Sequence, residues 1–357
     1  MSQKALIAMS GGVDSSVAAY LMKTRGFDCA GATMKLFGNG DIGLGGDDVC
    51  CSLESAEDAR SVADSLGLPF YVFNFAPDFK KQVVGRFVRA YQKGETPNPC
   101  VDCNRYIKFD KLLRRAKELD MDYLVTGHYA RIERDARTGK YLLKKAADET
   151  KDQSYVLYAL TQEQLSHILF PLGAYTKAEI RALAAAQGFV NADKRDSQDI
   201  CFAPDGDYAG FIERRAGAPA EPGDFVDARG GVLGRHKGLI RYTIGQRKGL
   251  GIAFKTPLYV LSKDTAANTV TLGGDGELYT KTLEASEFNW IAGDKPDAPV
   301  RVKAKVRYKH AEQWATAEQV GEDRVRVVFD EPQRAIAKGQ AAVLYDGDTV
   351  VGGGTIL

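Results

Sequence analysis

The stretch Ala5-Leu6-Ile7-Ala8-Met9-Ser10-Gly11-Gly12-Val13-Asp14-Ser15-Ser16 decides the fold. Five apolar residues ahead of a Gly pair read as a buried strand. Ser15 onwards, with Ser16, Val17, Ala18, Ala19, Leu21 and Met22, reads as a helix ending at Gly26. A Gly-rich turn therefore joins a strand end to a helix start. Glycines at such a turn let backbone N–H groups crowd onto an anion, and the helix dipole adds to the attraction. Ser10, Ser15 and Ser16 supply hydroxyl donors. A Walker loop needs Gly-Lys-Ser/Thr after a four-residue spacer, and a dinucleotide fold needs Gly-x-Gly-x-x-Gly; this turn has neither.

Outward from that turn, strand patterns at 5–9, 29–37, 70–75 and 123–127 alternate with helical patterns near 15–25, 52–66, 78–92 and 105–119. Such alternation predicts an α/β, doubly wound parallel sheet with helices on both faces. Ligands in such sheets sit at the carboxyl ends of the strands, which would bring the Ser10 loop, Met34 and Gly127-His128 together. Two helical segments follow at about 153–168 and 176–187. After Asp205 helical periodicity fades and Gly pairs and turn signals dominate, as at Gly230-Gly231 and Gly273-Gly274. The expected division is a catalytic domain over 1–205, a small β-rich central domain over 206–280 and an all-β unit, a barrel, over 281–357.

The chain has 357 residues, 44% hydrophobic and 27% charged, which are ordinary globular values. A net charge of +1 excludes a binder that is strongly basic in bulk, though not a local basic surface. No apolar run approaches the roughly 18 residues of a membrane span. Six cysteines without a secretory signal point to a reducing cytoplasm, where thiols serve chemistry or metal binding more often than a disulfide framework.

Thr96-Pro97-Asn98-Pro99-Cys100-Val101-Asp102-Cys103-Asn104 is the second strong feature. Two prolines fix an extended loop that can hold Cys103 at the start of a helix beginning near Arg105. The dipole there would lower the thiol pKa below its free value of about 8.5. Cys-x-x-Cys alone is ambiguous between redox, zinc and iron–sulfur roles, and a second such pair is missing. Asp102 reads as a base beside Cys103 or as a solvated loop residue. Cys201, within Ser197-Gln198-Asp199-Ile200-Cys201-Phe202, is a third thiol, and Cys29 opens a buried strand. Cys50-Cys51 lies in a Gly- and Asp-rich loop. Gly38-Asn39-Gly40-Asp41-Ile42-Gly43 matches Gly-x-Gly-x-x-Gly but is not followed by a helix, and reads as a loop. Arg301, Lys303, Lys305, Arg307 and Lys309 alternate with Val302, Ala304, Val306 and Tyr308. In a strand that period puts five cations on one face, as a phosphate-binding stripe or a charged guard on a sheet edge.

Taken together, these residues resemble the tRNA-specific 2-thiouridylase family, and the Ser10 turn resembles the pyrophosphate loop of enzymes that split ATP into AMP and pyrophosphate. The resemblance also covers Thr126-Gly127-His128-Tyr129-Ala130, Lys151-Asp152-Gln153-Ser154, and Gly234-Arg235-His236 through Tyr242-Thr243-Ile244-Gly245-Gln246-Arg247. It implies thiolation of the wobble uridine of tRNA at C2. By motif match it implies ATP, with Mg2+, at Ala8, Met9, Ser10, Gly11, Gly12, Val13, Asp14, Ser15, Met34 and Gly127. Asn98, Pro99 and Cys100 would meet the target base. His128, Lys151, Asp152, Gln153, Arg307, Tyr308 and Gln340 would contact tRNA. Cys103 would be the nucleophile and Cys201 the persulfide carrier.

The chemistry is coherent with that assignment. The C2 oxygen of uracil leaves poorly, and adenylation turns it into AMP. A persulfide on Cys201 supplies nucleophilic sulfur, and Cys103 releases the product by forming a Cys103–Cys201 disulfide that a reductant resets. A cysteine desulfurase or sulfur-relay protein would supply the sulfur, with no membrane partner and no resident metal. One departure stands out: many members carry a carboxylate where this chain has Cys100. That thiol could be a bystander, a redox partner of Cys103, or a third iron–sulfur ligand with Cys103 and Cys201; the persulfide route is favoured over the cluster.

Overall fold

The computed structural model describes residues 2–38, 53–194, 200–203 and 205–357. Cys50, Cys51, the Gly-x-Gly-x-x-Gly match from Asn39 onwards and Ser197 to Asp199 lie outside the described residues.

β1 (Lys4–Ala8) is the centre of a five-stranded parallel sheet. It pairs on one side with β2 (Asp28–Lys35), which pairs with β3 (Phe70–Asn74). On the other side lies β4 (Tyr123–Val125), followed by a two-residue β7 (Ile168–Leu169). Period-two alternation divides the strand side chains between two cores. Leu6, Ala30, Ala32 and Leu124 face one, with Phe79, Phe87, Ile107 and Leu112 from helical segments over 76–118. Ala5, Ile7, Cys29 and Val125 face the other, with Val17, Val62 and Ile180 from helices Val13–Thr24, Leu53–Ser65 and Lys177–Ala186. The doubly wound sheet is thus covered on both faces.

The apolar run after Gln153 departs from the expected helix over 153–168. It makes one 3-10 turn, Ser154–Leu157, and a short helix, Gln162–Ser166, before β7. The reason is competition for backbone groups. Asn289 Nδ2 donates to the carbonyls of Tyr158 (2.7 Å) and Leu160 (2.9 Å), and the Tyr155 hydroxyl donates to the Ala341 carbonyl at 2.7 Å. Segment 131–144, unassigned by periodicity, is a hairpin of β5 (Arg131–Arg134) and β6 (Tyr141–Lys144). It reaches the C-terminal sheet through Lys144 opposite Thr349.

Where helical periodicity fades, helix Tyr208–Ala216 nevertheless forms, capped by the Asp207 side chain and closed by left-handed Gly217. A four-stranded sheet follows, built from β8 (Gly223–Val226), β9 (Val232–His236), β10 (Tyr259–Asp264) and β11 (Thr269–Gly273). His236, 1% exposed, belongs to its core: the ring packs on Phe225 and Tyr242, and Nδ1 accepts from Gly238 N–H.

The last six strands close on themselves. β12 (Tyr279–Asn289) pairs with both β15 (Val325–Arg334) and β17 (Thr349–Ile356). β14 (Gln313–Gln319), β13 (Val300–Lys305) and β16 (Ala341–Asp346) complete an antiparallel barrel. β13 is hydrogen-bonded on both sides, to β14 and β16, so its cations guard no edge. The stripe is also shorter than its period suggested, because the strand ends at Lys305. Arg301 forms a two-pronged pair with Asp330, Lys303 lies over the Trp314 ring at 5.3 Å and Lys305 over Tyr155 at 5.9 Å.

Candidate active site

The helix after the Gly pair starts at Val13, and its N-cap is Gly12, which offers no side-chain cap. The first-turn N–H groups are therefore left to another acceptor. Gly11 has φ +76° and is pressed against the Ser55 carbonyl, so a Cβ there would overlap it. The hydroxyls divide into two roles. Ser15 Oγ accepts from Ser10 N–H (3.1 Å) and donates to the Gly12 carbonyl (2.9 Å). Ser16, fully buried, donates to that same carbonyl and accepts from Asn191 Nδ2, so it braces the turn from inside.

Gly127, just past the end of β4, is packed on this loop. A Cβ on it would lie 2.9 Å from the Asp14 carbonyl carbon and the Ser15 nitrogen. Ala8 ends β1 and Met34 lies near the end of the adjacent β2, so the three strand ends meet as the topology predicts. Asp14 faces two groups that periodicity did not single out. Its Oδ1 accepts from the Tyr129 hydroxyl at 2.7 Å and from Lys177 Nζ at 2.7 Å. Lys177 is 163 residues away in sequence, and only folding reveals it.

Asn98 caps a helix that starts at Pro99, its Oδ1 accepting from Cys100 N–H at 3.1 Å. This corrects the expected helix start near Arg105. Cys100 occupies the first turn, whereas Cys103 lies one turn further in, where the helix widens to π geometry over Cys103–Leu112. The dipole benefit, which fades within the first turn, belongs to Cys100 more than to Cys103. Cys100 is exposed, and Cys103 and Cys201 are half-buried at the margin of one apolar cluster. Phe202, beside Cys201, is anchored there between Phe79, Phe87 and Phe211. Cys29 is core, and burial pushes its thiol up to about 11. Among the described residues, no three His, Cys, Asp or Glu side chains gather into a set that could hold a metal ion.

Several of the residues matched to tRNA contact are held by hydrogen bonds within the fold. Tyr129 N–H donates to Gln153 Oε1 and Gln153 N–H to the Tyr129 carbonyl, both at 2.9 Å. Lys151, half-buried, leads into that segment, where Asp152 accepts from Ala146 N–H and the Ser154 hydroxyl. The Tyr308 hydroxyl donates to the Asp152 carbonyl at 3.0 Å, and Gln340 Nε2 donates to the Thr96 carbonyl at 2.8 Å. Arg307 reaches the Arg334 carbonyl. His128, matched to tRNA contact, is set into the fold. It is 7% exposed between Phe109 and Phe170, with Nδ1 at 2.6 Å from the Thr126 hydroxyl. Burial and nearby Lys108 hold its pKa well below the ordinary value, so the ring is neutral.

Asp102 is largely buried and engaged in an ion pair. Its Oδ1 accepts from Arg86 Nε at 3.2 Å, at a cavity of about 540 Å³ between helical segments of the first domain and the barrel, where Arg105 pairs with Glu287 at 2.8 Å. Burial pushes the Asp102 carboxyl up to about 6 against the opposing pull of Arg86. A raised folded value means that Asp102 contributes stability below the ordinary 3.8 and loses it as pH rises through 6. The stability of the wild type relative to Asp102→Asn should therefore fall between about pH 4 and pH 7. Thermal melts of both proteins across that range check this; a constant difference would overturn it.

The sequence pattern of the tRNA methyl transferase HUP domain matches residues 3–205, that of the tRNA methyl transferase PRC-barrel domain 209–274, and that of the aminomethyltransferase β-barrel domain 280–356. The tRNA-specific 2-thiouridylase MnmA of Clostridioides difficile is 51% identical over 356 residues, spanning 100% of this chain and 98% of the relative. The tRNA-specific 2-thiouridylase MnmA of Acetivibrio thermocellus is 50% identical, spanning 99% of each chain. Among solved structures, the NMN synthetase of Francisella tularensis is similar at a TM-score of 0.34 and 15% identity, over 62% of this chain and 79% of that one.

Proposed function

The chain belongs to the tRNA-specific 2-thiouridylase family, and we propose that it converts the wobble uridine of tRNA to 2-thiouridine at the expense of ATP. The observation that supports this best is the chain of contacts from the phosphate loop to the barrel. Gly127 abuts Asp14 and Ser15, Tyr129 holds Gln153, and Asp152 holds Tyr308. A nucleotide on the loop and an RNA on the barrel would then share one site.

In this reading the uracil C2 oxygen attacks the α-phosphorus, and pyrophosphate leaves with the electron pair of the broken P–O bond. Backbone N–H groups of Gly11 to Ser15 would receive the phosphates, and Mg2+ arriving with the nucleotide would offset part of their charge. Asn98, Pro99 and Cys100 border the base. The terminal sulfur of a Cys201 persulfide attacks C2 and AMP leaves. The Cys103 thiolate then attacks Cys201 Sγ, expelling the thiolated base and forming the Cys103–Cys201 disulfide. A two-electron reductant restores both thiols, and a desulfurase or relay protein reloads Cys201, in the reducing cytoplasm. Cys100 is dispensable on this route.

The test is to supply ATP, bulk tRNA and a persulfide donor, digest the RNA and weigh its nucleosides. A 2-thiouridine product is expected, with pyrophosphate release that disappears after RNase treatment. Pyrophosphate release that persists without RNA, and no thiolated nucleoside, would instead indicate an adenylating ligase acting on a small molecule.

A further inference from the structure

We propose that Lys177 is a pyrophosphate ligand of this site, a side-chain cation that offsets charge on the β- and γ-phosphates of the bound nucleotide. The inference rests on the ATP reading and names a residue that the loop motif does not contain.

Ser10 to Ser16 includes no basic residue. In a Walker loop a lysine of the motif itself reaches the β- and γ-phosphates. Here the departing pyrophosphate carries several negative charges, and backbone N–H groups are only partial charges. Folding brings a full cation from elsewhere. Lys177 Nζ, on a residue that is 8% exposed, lies 2.7 Å from Oδ1 of Asp14, in the first turn of the helix that follows the Gly pair. Burying an ammonium is costly unless it is paired, so the position is an investment by the fold.

The backbone that carries Lys177 is fixed on three sides. Thr176 and Glu179 form a reciprocal cap at the helix start, and Lys177 N–H donates to Asp148 Oδ2 at 3.0 Å. As the first residue of helix Lys177–Ala186, Lys177 also sets a positive charge at the end where the dipole disfavours one. A residue chosen for helix stability would be acidic there. The ring of Tyr129 flanks the amine at 5.8 Å, and the Tyr129 hydroxyl shares the same Asp14 oxygen. Asp14 thus has a second donor to keep it oriented when the amine turns to phosphate. The Asp14 side chain is 31% exposed, so a ligand can approach the carboxylate that the Lys177 ammonium pairs with.

During adenylation the uracil oxygen forms its bond to the α-phosphorus, and the bond from that phosphorus to the bridging oxygen breaks. Pyrophosphate keeps the electron pair. Lys177 transfers no proton; it offsets charge that grows on the leaving group.

The experiment measures the affinities of Mg-ATP, pyrophosphate and AMP by calorimetry for wild type, Lys177→Met and Lys177→Arg, with a thermal melt of each protein. AMP lacks the phosphates that Lys177 would hold. Lys177→Met should weaken ATP and pyrophosphate by at least about tenfold and AMP by less than about twofold, with Lys177→Arg in between. Unchanged ATP affinity in Lys177→Met would overturn the proposal. Equal losses for ATP and AMP together with a lower melting temperature would also overturn it, leaving a structural ion pair. Should Lys177→Met not fold, Lys177→Arg decides alone: an ATP-to-AMP affinity ratio equal to that of wild type overturns the proposal, and a reduced ratio supports it. Wild type that binds ATP no better than AMP would overturn the ATP reading itself.

Discussion

Gly11→Ala should abolish ATP-dependent turnover, while Gly26→Ala should leave it intact. Both glycines have positive φ, +76° and +84°, so both substitutions carry the left-handed penalty of roughly 1–2 kcal/mol. They differ in what the new methyl meets. At Gly26 nothing lies within 4 Å. At Gly11 it overlaps the Ser55 carbonyl, backbone that cannot rotate away. The loop must therefore move, taking with it the N–H groups of Gly12 to Ser15 and the brace from Asn191 Nδ2 to the Gly11 carbonyl at 3.0 Å. Pyrophosphate release in the presence of tRNA is the readout, with thermal melts alongside. Wild-type rates in Gly11→Ala would show that the loop does not bind nucleotide in this conformation.

Cys201→Ser and Cys103→Ser should each reduce thiolation by about 10³-fold or more, the scale on which loss of a nucleophile is felt. Their partial reactions should differ. A serine at 201 cannot hold a persulfide, so Cys201→Ser should release pyrophosphate, leave AMP on the unattacked base and carry no labelled sulfur. Cys103→Ser should accept labelled sulfur on residue 201 and stall with RNA attached, because the releasing thiolate is missing. Cys100→Asp should retain most of the activity. Labelled sulfur on Cys103 of the wild type, with Cys201 unloaded, would reverse the two roles. Stoichiometric iron and sulfide, lost together with activity in Cys100→Asp, would replace the persulfide route with a cluster.

The strand pattern of the parallel sheet and the glycine turn after β1 were legible in the sequence alone, because both rest on local signals. Ala5 to Met9 followed by Gly11-Gly12 specifies a strand, a turn with positive φ and a helix within twenty residues, and no distant partner changes that reading. Period-two cations in Val300–Lys305 likewise specify a strand with one apolar face. What the sequence could not decide was the outcome of competition between segments far apart. Tyr155 to Leu160 has the composition of a helix, yet its carbonyls are bound by Asn289 from the barrel, so the helix does not form. The edge or interior position of β13 depends on barrel closure, which is a property of six strands together. His128 carries the same residue type whether exposed or buried, and Phe109 and Phe170 decide the matter. Asp14 belongs to a motif that can be read in one line, but Lys177, its ion-pair partner, lies 163 residues away, and that pairing exists only in the folded chain.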